Sequence, residues 1–409
     1  MLWRNNGEIM NIKNRVFGIV LGLSFFITQF LHTHTVNEKP HIVILSPHSI
    51  LWSGVTTHVL NFYKVLVKNG YPVSVYSNRT SKLDYALKQI NVASKHDSEL
   101  QSELEDLCKE KKSVVVICNK QEDLTRIQSF RRKLPLKIIF TQHMDDLGEK
   151  SKTKKTVSYE NFHHIDGITG ATPYLTDIFC ELNTRHNLAI KKIMAIPPFF
   201  DEERFLSFST TQNHADFFKS EYDIDPEGLP VICAIGNMYE NLSFKNYPLL
   251  LKALNKIIYE KHKPVHLVIV GSGVRIEYLR KMSRELELKP FVHFLGFSQD
   301  IPAIMYHSDF HVLASSNESF GIVYLEAALM KKPSIGATGT GAEYIIKHEH
   351  TGLLFKNNDL DDLVKNIEQL IDQPKLCQIL GENAYVHVQQ NFSNNSNFLK
   401  FEQLLQSIS

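Results

Sequence analysis

After Lys39 the chain alternates short apolar, β-branched runs with longer segments whose apolar residues recur at helical spacing. His41–Ser46 is typical of a buried strand, and Val55–Asn69 has the spacing of a helix that ends at Gly70. Strands that are apolar along their whole length and separated by helices indicate a parallel sheet covered on both faces. The pattern therefore predicts an α/β fold.

This alternation of strands and helices runs twice. The first series contains six predicted strands, at His41–Ser46, Pro72–Ser77, Ser113–Cys118, Leu136–Thr141, Ile165–Gly170 and Lys192–Ile196. Pro197 and Pro198 end it, and the stretch to about Pro230 has few apolar runs, so we predict it to be irregular. The second series contains five predicted strands, at Val231–Gly236, Val265–Gly271, Phe291–Gly296, Asp309–Ala314 and Pro333–Gly336. Helices are predicted between or after them at Tyr247–Lys261, Arg275–Leu286, Phe320–Lys331 and Leu360–Asp372.

Two such series predict two doubly wound, Rossmann-like domains that face a central cleft. A length of 409 residues agrees with about two domains. We place the first domain at residues 38–200 and the second at 201–390. Residues 391–409 form a predicted C-terminal helix, Phe392–Ile408, that crosses back to the first domain. Ligands of such sheets bind beyond the carboxyl ends of the strands, so the cleft is the expected site.

The first 37 residues follow a different pattern. Val16–Leu31 is almost wholly apolar, and no charged residue occurs between Arg15 and Glu38. A helix needs about 20 apolar residues to span a bilayer, and this run is short for that. Three interpretations stay open: an N-terminal membrane anchor, which we favour, a cleaved signal peptide, and an interfacial helix or an extension without a role. The absence of an A-x-A cleavage pattern counts against the signal peptide.

Two observations bear on the side of the membrane. The positive-inside rule would place the main body across the bilayer from the basic residues before Val16. However, five cysteines without a C-x-x-C pair suit a reducing compartment, and they argue against both a disulfide framework and a zinc site. A glycan on the Asn317-Glu318-Ser319 sequon would also block the candidate site described below. We therefore expect a membrane-associated protein whose body lies on the cytoplasmic side.

Composition excludes several classes of protein. Basic and acidic residues number 45 and 44, which gives a formal net charge of +1. A sequence-independent binder of nucleic acid needs a large basic excess, so no nucleic acid partner is expected. With 43% hydrophobic and 22% charged residues, the chain has the composition of a globular protein and not of a disordered one.

The most informative stretch follows the predicted Asp309–Ala314 strand and reads SSNESFGIVYLE. A helix that begins at Ser319-Phe320-Gly321 would present free backbone N–H groups to an anion such as a diphosphate. Glu326 would lie one turn deeper on the face of Ile322, where its carboxylate could accept hydrogen bonds from a ribose diol. Glu318, on the loop, could hold sugar hydroxyls. The glutamate spacing alone is weak, because acidic residues are common in this chain.

The wider context resembles a known family. The segment Ser315-x-x-Glu318-x-Phe320-Gly321-x-x-x-Leu325-Glu326-Ala327 is similar to the E-x7-E signature of retaining GT-B glycosyltransferases, particularly glycosyltransferase family 4. Further ordered segments resemble the family along nearly the whole chain after residue 40: Gly54-Val55-Thr56-Thr57-His58, Thr141-Gln142-His143, Ile196-Pro197-Pro198-Phe199-Phe200-Asp201, Ile235-Gly236-Asn237, Lys245-Asn246, Val270-Gly271-Ser272-Gly273, Gly339-Thr340-Gly341-Ala342-Glu343 and Thr351-Gly352-Leu353-Leu354-Phe355.

The resemblance implies a function and roles by position. The protein would move a sugar from a nucleotide-sugar donor, bound by the second domain, to a hydroxyl acceptor on a glycan or lipid, bound by the first. Glu318, His143 and Lys245 would be catalytic, with Lys245 neutralising the leaving diphosphate. The implied donor-binding residues are Gly54, Gly236, Asn237, Lys245, Gly271, Glu318, Ser319, Phe320, Gly321, Ile322 and Glu326. No metal is expected, because a lysine and helix N-termini would supply the positive charge, and no cofactor is expected, because the nucleotide-sugar is a substrate.

One position departs from the family pattern. The residue after Gly236 is usually an arginine that supplies a second cation to the diphosphate, and here it is Asn237. Either another basic residue such as Arg275 takes its place or donor binding is weaker. Two alternatives therefore stay open beside a transferase in cell-envelope or lipid-linked glycan synthesis: a non-catalytic binding protein of GT-B fold, and a nucleotide-sugar epimerase.

Overall fold

A computed structural model of the protein describes residues 38–46, 54–77, 81–90, 95, 99–110, 112–143, 159–238 and 245–409. Its twelve strands form two six-stranded sheets, ordered β2-β1-β3-β4-β5-β6 and β12-β11-β10-β7-β8-β9. Every pair of neighbouring strands is parallel. The prediction of two doubly wound α/β halves is confirmed.

The strands of the first sheet are β1 His41–Leu45, β2 Val73–Tyr76, β3 Val114–Cys118, β4 Leu136–Gln142, β5 Gly167–Gly170 and β6 Lys192–Ala195. Those of the second are β7 Val231–Ile235, β8 His266–Val270, β9 Val292–Gly296, β10 Phe310–Val312, β11 Ser334–Ala337 and β12 Gly352–Phe355. β3 and β8 are buried at every position, which explains their unbroken apolar sequences VVVIC and HLVIV. β12 is also largely buried, and it forms the edge of the second sheet beside β11. No strand is predicted from the sequence at this position.

The helices of the first half are α1 Gly54–Lys68, α2 Lys82–Gln89, α3 Leu100–Lys109, α4 Gln121–Arg131 and α5 Pro173–His186. Those that follow are α6 Glu202–Leu206, α7 His214–Tyr222, α8 Tyr247–Asn255, α9 Ile276–Glu285, α10 Ile301–His307, α11 Ile322–Leu329, α12 Ala342–Ile345, α13 Leu360–Asp372, α14 Pro374–Asn391 and α15 Asn394–Ile408. α8 continues as one π-helical turn, Lys256–Glu260.

Two predicted elements need correction. The stretch before Pro230 is not wholly irregular, because it contains α6 and α7; the Asn213 side chain caps α7 by accepting a hydrogen bond from the Asp216 N–H. The helix expected to begin at Ser319–Gly321 begins at Ile322. Gly321 has a φ of 92°, in the left-handed region, and so lies outside the helix.

The last helix, α15, packs on the first sheet. Phe398, Phe401 and Leu404 are buried in the same apolar cluster as Ile42 of β1 and Val59 of α1. The ring centroids of Phe401 and Phe62 are 4.9 Å apart. The core of the first domain is therefore built from residues at both ends of the described chain.

The polypeptide passes between the domains twice, and the two crossings are bonded to each other. Asn394 accepts a hydrogen bond from the Phe200 N–H (3.2 Å) and donates one to the Phe200 carbonyl (2.8 Å). The Asn394 N–H donates to the Glu202 carboxylate at 2.7 Å. These bonds fasten the start of α15 to the chain between β6 and α6.

The predicted apolar segment Val16–Leu31 lies outside the described residues. Of the helices in the described ranges, none combines the length and the apolar character needed to cross a membrane. All five cysteines are free thiols.

Candidate active site

The loop between β10 and α11 lies at the carboxyl edge of the second sheet. A side chain at Gly321 would place its Cβ 2.5 Å from the Tyr324 ring and 3.2 Å from the Glu318 Cγ. Tyr324 cannot move aside, because it is 1% exposed and its hydroxyl contacts the Leu313 carbonyl. Gly321 is therefore required both by its φ and by space.

Glu318, on this loop, forms an ion pair with Lys245, which precedes α8. The distance between the Lys245 Nζ and the Glu318 Oε2 is 2.5 Å, and the Ser315 hydroxyl lies 3.5 Å from the same oxygen. The side chains are 28% and 15% exposed, so the pair is largely withdrawn from water but still reachable from the cleft. The structure thus brings together two predicted catalytic residues that are 73 positions apart.

The loop that carries Glu318 is held from behind by a glycine turn. The Gly341 N–H donates to the Glu318 carbonyl at 2.6 Å, and the Asn357 side-chain amide donates to the Ser316 carbonyl at 2.9 Å. A Cβ at Gly341 would lie 2.5 Å from the Phe320 N and Cα atoms. The backbone of the turn and the backbone of the loop are therefore in direct contact.

A second loop, Gly236–Met238, follows β7 at the same edge. The Tyr247 hydroxyl donates to the Gly236 carbonyl at 2.8 Å. Gly271, which follows β8, has a φ of 141°, and a Cβ there would lie 2.1 Å from the Gly236 carbonyl oxygen. The turns after β7 and β8 therefore pack backbone to backbone, and the Met238 N–H donates to the Ser272 carbonyl at 2.9 Å.

Asn237 and Arg275 belong to these two turns. The Arg275 N–H donates to the Met238 carbonyl at 3.1 Å, so the backbone of Arg275 lies beside the loop that carries Asn237. The Arg275 side chain is exposed. The backbone of a basic residue thus lies beside the loop where the family pattern has its arginine.

His143 follows β4 at the carboxyl edge of the first sheet. Its Nε2 lies 2.7 Å from the Asn119 Oδ1, and the Asn119 Nδ2 donates to the Leu45 carbonyl at 2.9 Å. Since that bond fixes Oδ1 as an acceptor, the neutral imidazole carries its proton on Nε2 and offers Nδ1 as an acceptor. Burial lowers the pKa of His143 to about 4. This histidine is therefore neutral at physiological pH.

His58, on α1, has a packing role. Its Nδ1 accepts a hydrogen bond from the Phe199 N–H at 3.1 Å, and its ring centroid lies 5.1 Å from that of His143. Burial holds the pKa of His58 well below its usual value. His58 thus supports the ring of His143 and ties α1 to the chain that leaves the first domain.

The two domains meet where Gly54 opens α1. A Cβ at Gly54 would lie 3.9 Å from the Cδ1 of Ile322, so the first residues of α1 and α11 face each other. Glu326, one turn further along α11, lies close to α6. Desolvation raises the pKa of Glu326 to about 7; Arg204 opposes this shift and Asp201 reinforces it. Both neighbours belong to the segment that joins the domains.

Sequence reasoning missed Asn119 and Tyr247, which position His143 and the Gly236 loop. A signal existed for Asn119, since it directly follows the buried strand β3 and so had to lie at the carboxyl edge. Tyr247 gave none, because an aromatic residue at the start of a helix is usually core. In the described part of the chain, no group of three or more His, Cys, Asp or Glu side chains is arranged to hold a metal ion.

Comparison with known proteins addresses the second half directly. Residues 220–387 match the family model of glycosyl transferases group 1. This part of the chain is similar to that family. The group 1 region contains Lys245, Glu318, Glu326 and the glycine turns, whereas Gly54 and His143 lie outside it.

Individual relatives extend the similarity over most of the chain. N-acetyl-alpha-D-glucosaminyl L-malate synthase from Bacillus anthracis is 26% identical over 272 residues, which is 65% of this chain and 67% of the relative. A crystal structure of a glycosyltransferase from Rickettsia africae has a TM-score of 0.76 at 18% identity, over 90% of this chain and 98% of that one. HepE from Anabaena, solved in complex with UDP and glucose, has a TM-score of 0.71 at 18% identity, over 90% of this chain and all of its own. The two structural similarities show that the chain has a GT-B fold over about 90% of its length.

Proposed function

We propose that the protein is a retaining glycosyltransferase that moves a sugar from a nucleotide-sugar donor to a hydroxyl group. The Lys245–Glu318 pair carries this proposal, because it sets a cation against a carboxylate of the loop before α11, at the carboxyl edge of the second sheet. A donor presents an anionic diphosphate next to a neutral, hydroxyl-rich sugar, and this arrangement complements both.

Lys245 would stabilise the diphosphate as it leaves. A fixed cation contributes most where negative charge develops, in a site that excludes water. The N–H groups at the start of α11, beside Gly321, would bind the same group. Glu318 would accept hydrogen bonds from the sugar hydroxyls. When a donor binds, Lys245 would therefore contact its diphosphate and Glu318 its sugar.

The reaction would proceed on one face of the sugar. The bond from the anomeric carbon to the diphosphate oxygen breaks, and a bond from that carbon to the acceptor oxygen forms on the same side. The acceptor proton passes to an oxygen of the departing phosphate. Neutral His143 would touch the donor sugar and offer its Nδ1 to a hydroxyl.

Glu326 would bind the ribose. The Glu326 carboxyl, whose pKa is about 7, becomes a stronger hydrogen-bond acceptor when it ionises. The two hydroxyls of the ribose would then take the place of the water that burial excludes from this carboxyl. Arg275 would supply the charge that Asn237 lacks. We further propose a membrane-associated body on the cytoplasmic side and a role in envelope or lipid-linked glycan synthesis, for which the apolar segment Val16–Leu31 is the support.

The test combines donor binding with turnover. Thermal stabilisation by UDP-, GDP- and ADP-sugars identifies the base, and HepE with its bound UDP makes UDP-sugars the first choice. Release of nucleoside diphosphate from the stabilising donor then measures activity, together with the anomeric configuration of the product. Glu318→Gln should lower turnover at least about a hundredfold, while Glu382→Gln, an exposed glutamate of the same domain, should not. An unchanged rate in Glu318→Gln would refute the site assignment.

One alternative has a specific observation in its favour. Asn237 removes a charge that group 1 sequences usually present to the diphosphate, so the chain could bind a donor without transferring its sugar. Stabilisation by a donor with no nucleotide release, across acceptors of several classes, would support that binding function.

A further inference from the structure

The edge of the first sheet opposite the cleft carries a cluster of basic side chains. In a parallel sheet all strands start at one edge, so the starts of β4, β5 and β6 lie together there, with the C-terminal ends of α4 and α5. We name this cluster the basic edge; its members are Arg131, Arg132, Lys133, Lys137, Arg185, Lys191 and Lys192.

Asp166 is the acidic residue placed among these cations. It is fully buried, and it pairs with Arg131 at 2.9 Å and with Lys191 at 2.7 Å. The Ile138 N–H donates to the same carboxylate at 3.0 Å. One buried carboxylate thus pairs with two of the seven cations of the basic edge, in a chain whose formal net charge is +1.

The cations are crowded and accessible. Burial lowers the pKa of Lys137, and the neighbouring Lys191 and Arg131 add to that effect. Arg132, Lys133 and Arg185 are exposed. The other half of the same edge differs, because there Lys109 pairs with Asp106 at 3.1 Å and Lys112 with Glu110 at 2.5 Å. The excess charge is therefore confined to the β4–β6 side.

The chain that carries the apolar segment arrives at this same edge. β1 starts at His41, and the six residues between Leu31 and Glu38 make seven Cα–Cα steps. Fully extended, they reach at most about 25 Å. Neighbouring strands are about 4.8 Å apart, so β4 lies about 10 Å and β6 about 19 Å from β1. Any surface that takes up Val16–Leu31 is therefore within reach of the basic edge.

We propose that the basic edge is the face of the protein that lies against a bilayer containing anionic lipids. The basic edge complements the phosphate layer of such a membrane, and the uncharged apolar segment, which precedes the strand that starts at this edge, complements its hydrocarbon layer. Two weak signals of this kind combine into stable attachment, where either one alone is marginal. The cleft then faces away from the bilayer, at the opposite edge of the sheet.

The test compares full-length proteins that differ in three exposed charges. The patch variant is Arg132→Gln, Lys133→Gln and Arg185→Gln. The control variant removes the same charge from exposed positions at and after the end of α9 in the second domain: Lys281→Gln, Arg284→Gln and Lys289→Gln. Binding is measured by sedimentation with phosphatidylcholine vesicles, with and without about one-third phosphatidylglycerol.

Wild type and control should prefer the anionic vesicles, and the patch variant should lose about a hundredfold of that preference, since each basic residue near the surface contributes roughly one factor of five. Binding to neutral vesicles should be the same in all three proteins. Equal preference in patch variant and wild type, an equal loss in the control, or no preference in wild type would each overturn the proposal.

A second measurement remains informative if the apolar segment alone keeps every protein on the vesicles. Amide hydrogen exchange in residues 131–137 and 185–192 should slow on anionic vesicles compared with neutral ones, whereas residues 284–290 should not change. Equal exchange of these two edge segments on both kinds of vesicle would contradict the proposed orientation.

Discussion

Gly341 offers a sharp test of how the loop that carries Glu318 is supported. Its φ and ψ are −57° and −22°, an ordinary helical conformation in which alanine is normally preferred to glycine. From backbone preference alone, Gly341→Ala should be neutral or stabilising. The structure predicts the reverse, because the added Cβ would lie 2.5 Å from three backbone atoms of Ser319 and Phe320.

The magnitude follows from that distance. Ordinary contact begins at 3.4 Å, so the loop must withdraw by about 1 Å and the 2.6 Å bond from the Gly341 N–H to the Glu318 carbonyl must lengthen. A displacement of this size at a catalytic group costs about a hundredfold in rate. We expect kcat/KM for the donor to fall by that factor, and stability to fall by about 1–3 kcal/mol from overpacking.

The assay is nucleotide release with the donor that stabilises the protein, with thermal unfolding of each variant alongside. Gly339→Ala is the matched control, since it lies in the same turn with nothing within 4 Å of its Cβ. Its φ of 69° makes alanine cost about 1–2 kcal/mol without pushing the loop. Turnover within twofold of wild type in Gly341→Ala, or an equal loss in Gly339→Ala, would refute the steric argument.

Three further outcomes are expected. Lys245→Met should lower kcat for donor cleavage about 100–1000-fold, with Lys245→Arg recovering much of it, and wild-type kcat in the methionine variant would exclude a role in charge neutralisation. The pKa of Glu326 is about 7 in the folded protein and about 4.3 in the unfolded chain, so its contribution to stability declines as pH rises between those values. In denaturant unfolding, the stability of Glu326→Gln relative to wild type should therefore increase by about 1–2 kcal/mol between pH 4.5 and 7.5. A difference in stability that does not change with pH would contradict the shift. Phe401→Ala should cost about 3–5 kcal/mol in the same unfolding measurement, against less than about 0.5 for the exposed Leu399→Ala, and equal losses would show that α15 is not part of the core.

The sheets were readable from sequence because a strand buried on both faces must be apolar at each position. β1, β3 and β8 show this pattern, and their predicted bounds agree with the structure within a residue or so. The predicted start of α11, at Ser319–Gly321, was wrong because the helix begins only after Gly321, where the packing of Tyr324 and not the neighbouring sequence requires a glycine. α6 and α7 were missed because they are short and lack a long apolar stripe; buried phenylalanines hold them in place, and only α7 has a side-chain N-cap.

Only part of the candidate site could be predicted from the sequence. Its residues could be named from motifs, but a contact such as Lys245 with Glu318 joins segments 73 positions apart and depends on the order of strands in the sheet. The close approach of Gly341 to Phe320 could not be predicted from the neighbouring sequence, because Gly341 has ordinary helical dihedral angles. The raised pKa of Glu326 comes from desolvation, reinforced by Asp201 of the connection between the domains, so it depends on tertiary packing and not on local sequence.

The packing of α15 on the first sheet has a consequence for biosynthesis. Residues up to about 200 leave the ribosome first, yet the apolar faces of β1 and α1 are covered by Phe398, Phe401 and Leu404. At roughly 5–20 residues per second, about 10–40 s pass before that cover is made. Through this interval the nascent first domain exposes an unfinished core, so its folding is completed only as the last helix emerges. A chaperone that holds nascent apolar surface should therefore bind the first half of this chain until synthesis reaches its final residues.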